Sequence, residues 1–396
     1  MKFVVSGVPS GPWKATLKLR NAKASQVGYQ LRAVTNSSWT QSSLTYASAP
    51  AIGGTLGNSG PTTSGSWTSL DVSSAFAGNG TYSFALTGGN GSTIQVGSRE
   101  SATPPQLVIE PMTSASSTII PAGFGESLGA YDPGASLASS TSLRSDHYFV
   151  SWDKNTQWVA GLDQHQALVQ GLANTQARGR QPIVTLEPWT GAGMSSSSLL
   201  QDVVAGKYDA NIQWACNDLK SYPGTVIVRW GHEMEHVTGR YPWATNDSGA
   251  FIQAYRYFVD RCRALAPNTS YMWSPTGNRN LAPYWPGSSY ADYVGLSVYD
   301  YPDWEVSYYG YNRSFHENFS ERYGYVAGFG KPIIIPEFAA TGATQVQWLR
   351  DALADMANFP LLQAAVFFNA KDPVGWGNLP APDWRVDPAL LSSPGA

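Results

Sequence analysis

Thr225-Val226-Ile227-Val228-Arg229-Trp230-Gly231-His232-Glu233-Met234 is an almost wholly apolar run that gives way to a histidine and a carboxylate. A run without polar alternation reads as a strand buried on both faces, as parallel strands are. Pro332-Ile333-Ile334-Ile335-Pro336-Glu337-Phe338 has the same grammar, a dry strand and then a carboxylate. Between the two lies the clearest helical pattern of the chain. After a cap at Asp247 or Ser248, Phe251, Ile252, Tyr255, Phe258, Val259, Cys262 and Leu265 share one face, and Pro267 ends it. Apolar strand, amphipathic helix and apolar strand form the unit of a parallel sheet with crossover helices.

The alternation extends from about residue 118 onward. Strands are expected at Ala122–Gly125, Tyr148–Trp152, Pro182–Leu186, Thr225–Trp230, Tyr271–Ser274, Val294–Val298, Pro332–Pro336 and Ala364–Phe368. That count and length predict an α/β fold, a (β/α)8 TIM barrel. Residues 1–112 read differently. Ala15–Leu19, Gly28–Val34 and Tyr82–Leu86 alternate with period two between Gly, Ser, Asn and Pro clusters, which predicts a small all-β sandwich. The expected division is a sandwich over 1–112, a linker over 113–117 and a barrel over 118–396.

Charged residues make up only 13% of the 396-residue chain, while Gly (39), Trp (15) and Tyr (21) are abundant. Aromatic rings and short polar side chains suit a protein that handles carbohydrate outside the cell. A net charge of −3 offers no basic field for nucleic acid. Residues 1–112 hold seven Lys/Arg against three Asp/Glu, a mild bias toward acidic polymers. No apolar run is long enough to span a membrane. Met1-Lys2-Phe3-Val4-Val5 turns polar at once, so no export leader is read and secretion is expected from composition. Cys216 and Cys262 leave open one disulfide or two buried thiols, with thiols favoured.

In a (β/α)8 barrel the chemistry sits at the carboxyl ends of the strands. The fourth and seventh strands each end in a carboxylate there, Glu233 and Glu337. Cleaving an acetal needs such a pair, one group to protonate the leaving oxygen and one to trap the anomeric carbon. His232 is placed to orient Glu233, and Met234 gives it an apolar neighbour that raises its pKa. Arg229 reads as a structural cation that keeps Glu337 ionised.

Arg229-Trp230-Gly231-His232-Glu233-Met234, followed by Tyr241-Pro242-Trp243, resembles the strand-four motif of glycoside hydrolase family 26. Pro336-Glu337-Phe338 resembles that family's nucleophile segment. The resemblance covers roughly residues 118–390. It implies a retaining β-glycanase with Glu233 as acid/base, Glu337 as nucleophile and His232 as the histidine before the acid. By the same resemblance, Tyr299 is the tyrosine that hydrogen-bonds the nucleophile. The substrate it implies first is β-1,4-mannan. Mannan-cleaving members follow His-Glu-Met with Asn-Gly and an aromatic, whereas this chain has Glu235-His236-Val237-Thr238-Gly239-Arg240. A β-1,3-1,4-glucan is therefore a second substrate, and a non-catalytic glycan-binding barrel a third reading.

Glu187, Trp189, Trp243, Trp273 and Trp304 lie at or after strand ends and are expected to contact substrate. His232 and His236 have the spacing of a helical zinc site, but a strand-to-loop segment does not present them on one face. No metal, cofactor, nucleic acid or membrane partner is expected, and the chain is expected to act as a monomer on a polysaccharide. In the front domain, Gly80–Leu86, Ser98-Arg99-Glu100-Ser101 and Pro104-Pro105-Gln106-Leu107-Val108 resemble the DNRLRE-type sandwich attached to polysaccharide-degrading enzymes. That implies a carbohydrate-binding-module-like role.

Overall fold

The computed structural model describes residues 1–8, 13–88, 93–111, 118–121, 124–153, 162–190 and 196–391. The expected linker 113–117 lies outside them. The chain divides into two compact units, Met1–Ser117 with Tyr301–Arg313, and Thr118–Asp300 with Ser314–Ala396.

Among the described residues the first unit has seven antiparallel strands. They are β1 (Lys2–Val5), β2 (Trp13–Arg20), β3 (Gln30–Val34), β4 (Thr55–Asn58), β5 (Trp67–Asp71), β6 (Gly80–Thr87) and β7 (Gln106–Pro111). They form one sheet in the order β1-β6-β3-β4 and another in the order β5-β2-β7. The period-two pattern explains the core. Ala15, Leu17 and Leu19 on β2 are fully buried and pack with Leu31 of β3, Leu70 of β5 and Phe84 of β6. The other face of β2 carries Lys14, Thr16 and Lys18. The helix Pro302–Tyr309 also belongs to this unit. There Glu305, buried, takes two hydrogen bonds from Arg313 at 2.6 and 2.9 Å.

The second unit is a closed parallel barrel. Its strands are β8 (Ser127–Tyr131), β9 (Leu143–Ser151), β10 (Gln181–Glu187), β11 (Val226–Trp230), β12 (Thr269–Trp273), β13 (Tyr293–Gly295), β14 (Val298–Asp300), β15 (Ile333–Ala340) and β16 (Leu362–Phe368). From β8 to β13 each pairs in parallel with the next, β13 and β14 both pair with β15, β15 pairs with β16, and β16 pairs back to β8. These two are successive pieces of one stave, so the barrel has eight staves. The first strand differs from expectation: it runs over Ser127–Tyr131 and not Ala122–Gly125, of which 122 and 123 lie outside the described residues. Small residues hid it, and they are there for space. A Cβ at Gly129 would fall 2.0 Å from Ser145 Oγ on β9.

Strand parity sorts the barrel interior into layers. Ile183, Ile227, Met272, Ile334, Ala364 and Val366 form a closed apolar plug. Two residues further on β10 and β11, and just past β12, the same parity brings Thr185, Arg229 and Ser274 inward. All three are fully buried. One step higher come Glu187 and Gly231, at the mouth. The opposite parity packs outward under the helices. Ser248–Leu265 is one of these, capped by Asp247, which accepts from Ala250 N at 2.9 Å.

Cys216 and Cys262 form a disulfide, with Cα atoms 5.4 Å apart, so the thiol expectation is corrected. Cys216 sits on the helix Asp209–Lys220, and both cysteines occupy its packed face with Ser248–Leu265. A separation of 46 residues along the chain does not reveal that meeting.

Candidate active site

Glu337 lies within the dry strand β15, and the strand is irregular where the carboxylate emerges. The β15–β16 register shifts between Ile335 and Phe338, a bulge of the kind that re-aims side chains beside functional sites. The freed carbonyl of Pro336 accepts from His147 Nδ1 on β9 at 3.1 Å. Burial and the neighbouring Arg229 hold His147 down at about 3, so the ring is neutral. Its Nε2 then accepts from the Thr185 hydroxyl at 2.7 Å, and Thr185 in turn accepts from Arg229 Nη1 at 3.4 Å.

Arg229, fully buried, is the centre of this layer. It donates to Glu337 Oε1 at 2.6 Å, to Ser274 Oγ at 2.9 Å and to Ser297 Oγ at 3.2 Å. Ser297 donates to the same Glu337 oxygen at 3.1 Å, and the Tyr299 hydroxyl donates to the other. Burial alone would raise the Glu337 carboxyl. The Arg229 charge and the Tyr299 hydrogen bond outweigh it and hold the group at about 2. Tyr299, pushed up by its own burial and by that carboxylate, keeps its proton.

Glu233 reaches the cleft by a different device. Gly231 and Glu233 both adopt left-handed backbone, φ +57° and +56°, and Ala135 is the other non-glycine residue described with positive φ. A left-handed non-glycine residue costs on the order of 1–3 kcal/mol and is retained where a side chain must be aimed. The turn is pinned by Glu233 N to Ser274 O at 2.8 Å and His236 N to Glu233 O at 3.1 Å. Among the described residues none donates a hydrogen bond to the Glu233 carboxyl. Burial first, and then the Glu337 charge, raise it to about 7 against Arg229 and Arg240. A carboxyl that keeps its proton beside one that stays ionised is the arrangement acetal cleavage requires.

The walls come from the loops. His232 is buried and uncharged, with Nε2 3.2 Å from the Tyr241 hydroxyl. Trp189 is half-buried and packs edge-on against Trp243 at 5.1 Å. Its indole N–H donates to Glu187 Oε2 at 2.9 Å. Glu187 is a third carboxyl of the cleft, and burial raises it to about 7. The loop after β16 adds Trp376 and Trp384 against Tyr299.

Two expected substrate contacts are corrected. Trp243 and Trp273 are both fully buried and have no open face. Trp273 has the outward parity on β12, because Met272 and Ser274 face inward, and it packs on Trp285 and Phe329. Trp243 stacks on Tyr241 and donates to His232 O at 2.7 Å, so it fixes the histidine. Trp304 stacks on Tyr308 in the helix of the other unit. Glu235 turns inward, accepting from Thr276 Oγ1 at 2.6 Å and Gly277 N at 3.1 Å, while His236–Arg240 stay exposed. His147, Thr185, Ser274 and Ser297 were missed by sequence reasoning. Interior parity, counted back from Glu187 to Thr185, would have found the second.

Residues 1–111 match the sequence profile of carbohydrate-binding module family 96. Endoglucanase H of Acetivibrio thermocellus is 28% identical over 245 residues, 58% of this chain and 25% of that protein. A β-1,3-xylanase, TXYA, of a Vibrio species is 32% identical over 114 residues, 27% of this chain and 24% of that protein. The chain thus spans about a quarter of the length of these relatives. Among solved structures, a glycoside hydrolase family 26 β-mannanase from Bacteroides ovatus aligns with TM-score 0.51 at 16% identity, covering 68% of this chain and 87% of that one. The chain therefore joins a segment that matches carbohydrate-binding module family 96 to a barrel with the fold of a family 26 β-mannanase.

Proposed function

We propose that the protein is a retaining endo-β-glycanase that hydrolyses β-1,4-mannan. The observation that carries this is the unequal treatment of two buried carboxyl groups in one cleft: Arg229, Ser297 and Tyr299 donate to Glu337, which lowers it, while no described residue donates to the Glu233 carboxyl, which burial raises. In the first step a Glu337 oxygen bonds to the anomeric carbon while Glu233 gives its proton to the departing glycosidic oxygen. The glycosidic C–O bond breaks and a glycosyl ester remains on Glu337. In the second step Glu233, now ionised, takes a proton from water as the water displaces Glu337. Each displacement inverts the anomeric carbon, so the product keeps the β configuration. Tyr299, Ser297 and Arg229 hold the nucleophile ionised until it attacks.

The mannan assignment draws on the family 26 motif at Arg229–Met234. A mixed-linkage β-glucan is the second reading, supported by the name of the Endoglucanase H relative and by the altered segment Glu235–Arg240. Residues 1–111, through their profile, are assigned to holding the enzyme on polymer. An extracellular setting accords with the Cys216–Cys262 disulfide. No helix among the described residues is long and apolar enough to cross a membrane. Reducing-sugar release from mannan, lichenan, β-1,3-xylan and cellulose tests the reading. Mannan should be cleaved fastest; lichenan in first place moves the substrate to the second reading, and no release from any, with binding retained, overturns the enzyme.

A further inference from the structure

One stave of the barrel is broken where it meets the nucleophile. β13 ends at Gly295 and β14 begins at Val298, so Leu296 and Ser297 lie in the gap. Ser297 and Tyr299, at and just after the break, are the two residues whose hydroxyls donate to the two oxygens of Glu337. An interrupted ladder leaves backbone carbonyls without strand partners, and such groups need donors from elsewhere.

One helix supplies them. Phe315–Ala327 starts at a capping box formed by Ser314 and Glu317, so its first turn is anchored. Asn318 and Arg322, four residues apart, share a face of it. Asn318 Nδ2 donates to the Tyr299 carbonyl at 3.1 Å, and Arg322 Nη1 donates to the Ser297 carbonyl at 2.7 Å. The two are joined, because Arg322 donates to the Asn318 carbonyl at 3.0 Å and to its side-chain oxygen. Arg322 also reaches Thr276 O at 3.4 Å and packs under Gly277. At Gly277, φ is +93° and a Cβ would lie 2.8 Å from Arg322 Cδ.

We propose that Asn318 and Arg322 are positioning residues for the nucleophile, holding the backbone of the broken stave so that the Ser297 and Tyr299 hydroxyls bracket Glu337. The inference rests on the reading of Glu337 as nucleophile. The other charged or titratable groups in the field of Glu337 are Arg229 on β11, His147 on β9, Glu187 at the end of β10, and His232, Glu233, Arg240 and Tyr241 after β11. None of them lies on the helix. Loosening the helix contacts should therefore act on Glu337 through its two hydroxyl donors.

The test uses the full chain with Arg322→Met and, separately, Asn318→Ala. The Glu337 carboxyl is titrated by 13C NMR on protein labelled at the glutamate δ-carbons, its resonance assigned with Glu337→Gln. Its pKa should rise by about one unit or more in both variants. On soluble glycan kcat should fall roughly ten- to hundredfold with KM changed less than about twofold. Arg322→Lys, which keeps a donor for the Ser297 carbonyl, should recover part of both effects. Arg279→Ala, an exposed arginine paired with Glu321 of the same helix, should change neither. A lowered melting temperature with an unmoved Glu337 pKa and unchanged kcat overturns the proposal, since the contacts then serve folding alone. If Arg322→Met does not fold, Asn318→Ala and Arg322→Lys decide the matter by the same readouts. Absence of sugar release by the unaltered chain overturns the glycanase reading instead, and the NMR titration still decides the clamp.

Discussion

The turn after β11 and the bulge within β15 each present a carboxyl to the same cleft and treat it in opposite ways. Glu337 leaves a strand buried throughout and meets three donors, Arg229, Ser297 and Tyr299. Glu233 stands on a left-handed turn that meets its backbone needs and leaves its carboxyl to burial and to the field of its neighbour. Chemically the two groups are identical. What separates them is the number of donors each is given, which sets one to remain charged and the other to remain protonated.

The largest expected effect comes from deleting the charged member. Glu337→Ala should lower kcat by about 10⁴- to 10⁶-fold. Azide should restore part of the turnover and yield a glycosyl azide of inverted configuration. Restored turnover with retained configuration would assign the attack to another group. In the unaltered enzyme NMR should show the β-anomer first, and an initial α-anomer would break the assignment of direct attack.

Glu233→Ala should lower kcat on polysaccharide by about 10²- to 10⁴-fold. It should spare aryl glycosides with good leaving groups, which need no proton in the first step. Equal losses on both substrates would remove Glu233 from the role of acid.

Arg229→Met leaves the Glu337 charge buried without its cation. A stability loss of about 3–5 kcal/mol is expected by denaturant unfolding at neutral pH. The sign follows from the depressed Glu337 pKa. Ionised Glu337 stabilises the fold above the ordinary carboxylate pKa, and that stability is lost as pH falls toward 2. Glu233, raised to about 7, opposes folding as pH rises from the ordinary value through 7. In kcat/KM the unaltered enzyme should show a bell with an upper limb near 7. Arg229→Met should raise the lower limb, and Glu337→Gln should lower the upper limb of any residual activity. An unmoved upper limb would place Glu337 outside the field of Glu233.

The smallest effect on activity is expected at the disulfide. Cys216→Ser with Cys262→Ser should destabilise the chain by about 2–4 kcal/mol while leaving kcat within about twofold. Thermal unfolding and steady-state assays check both parts, and a displaced pH limb would tie the helix pair to the carboxyls after all.

Periodicity alone determined much of this protein. Continuous Val and Ile runs at Val226–Val228 and Ile333–Ile335 announce strands buried on both faces, and the charge that ends each run announces the mouth of a barrel. Period-two alternation at Ala15–Leu19 announces the sandwich in the same way. These signals are local, set by which face of a strand or helix must be dry, and so they survive in a linear text. Tertiary structure decided the rest, because the rest depends on which distant residues meet. His147 touches Pro336 only because the barrel brings β9 toward the β15 bulge, and Thr185 only because β10 is its neighbouring stave. Ser297 reaches Glu337 because its stave breaks there, and Trp273 is closed to substrate because of its parity on β12. The two cysteines join because two helices pack face to face. The pKa values of Glu233 and Glu337 belong to this class as well, since burial and donors are properties of the assembled cleft and neither is written in the residues that flank them.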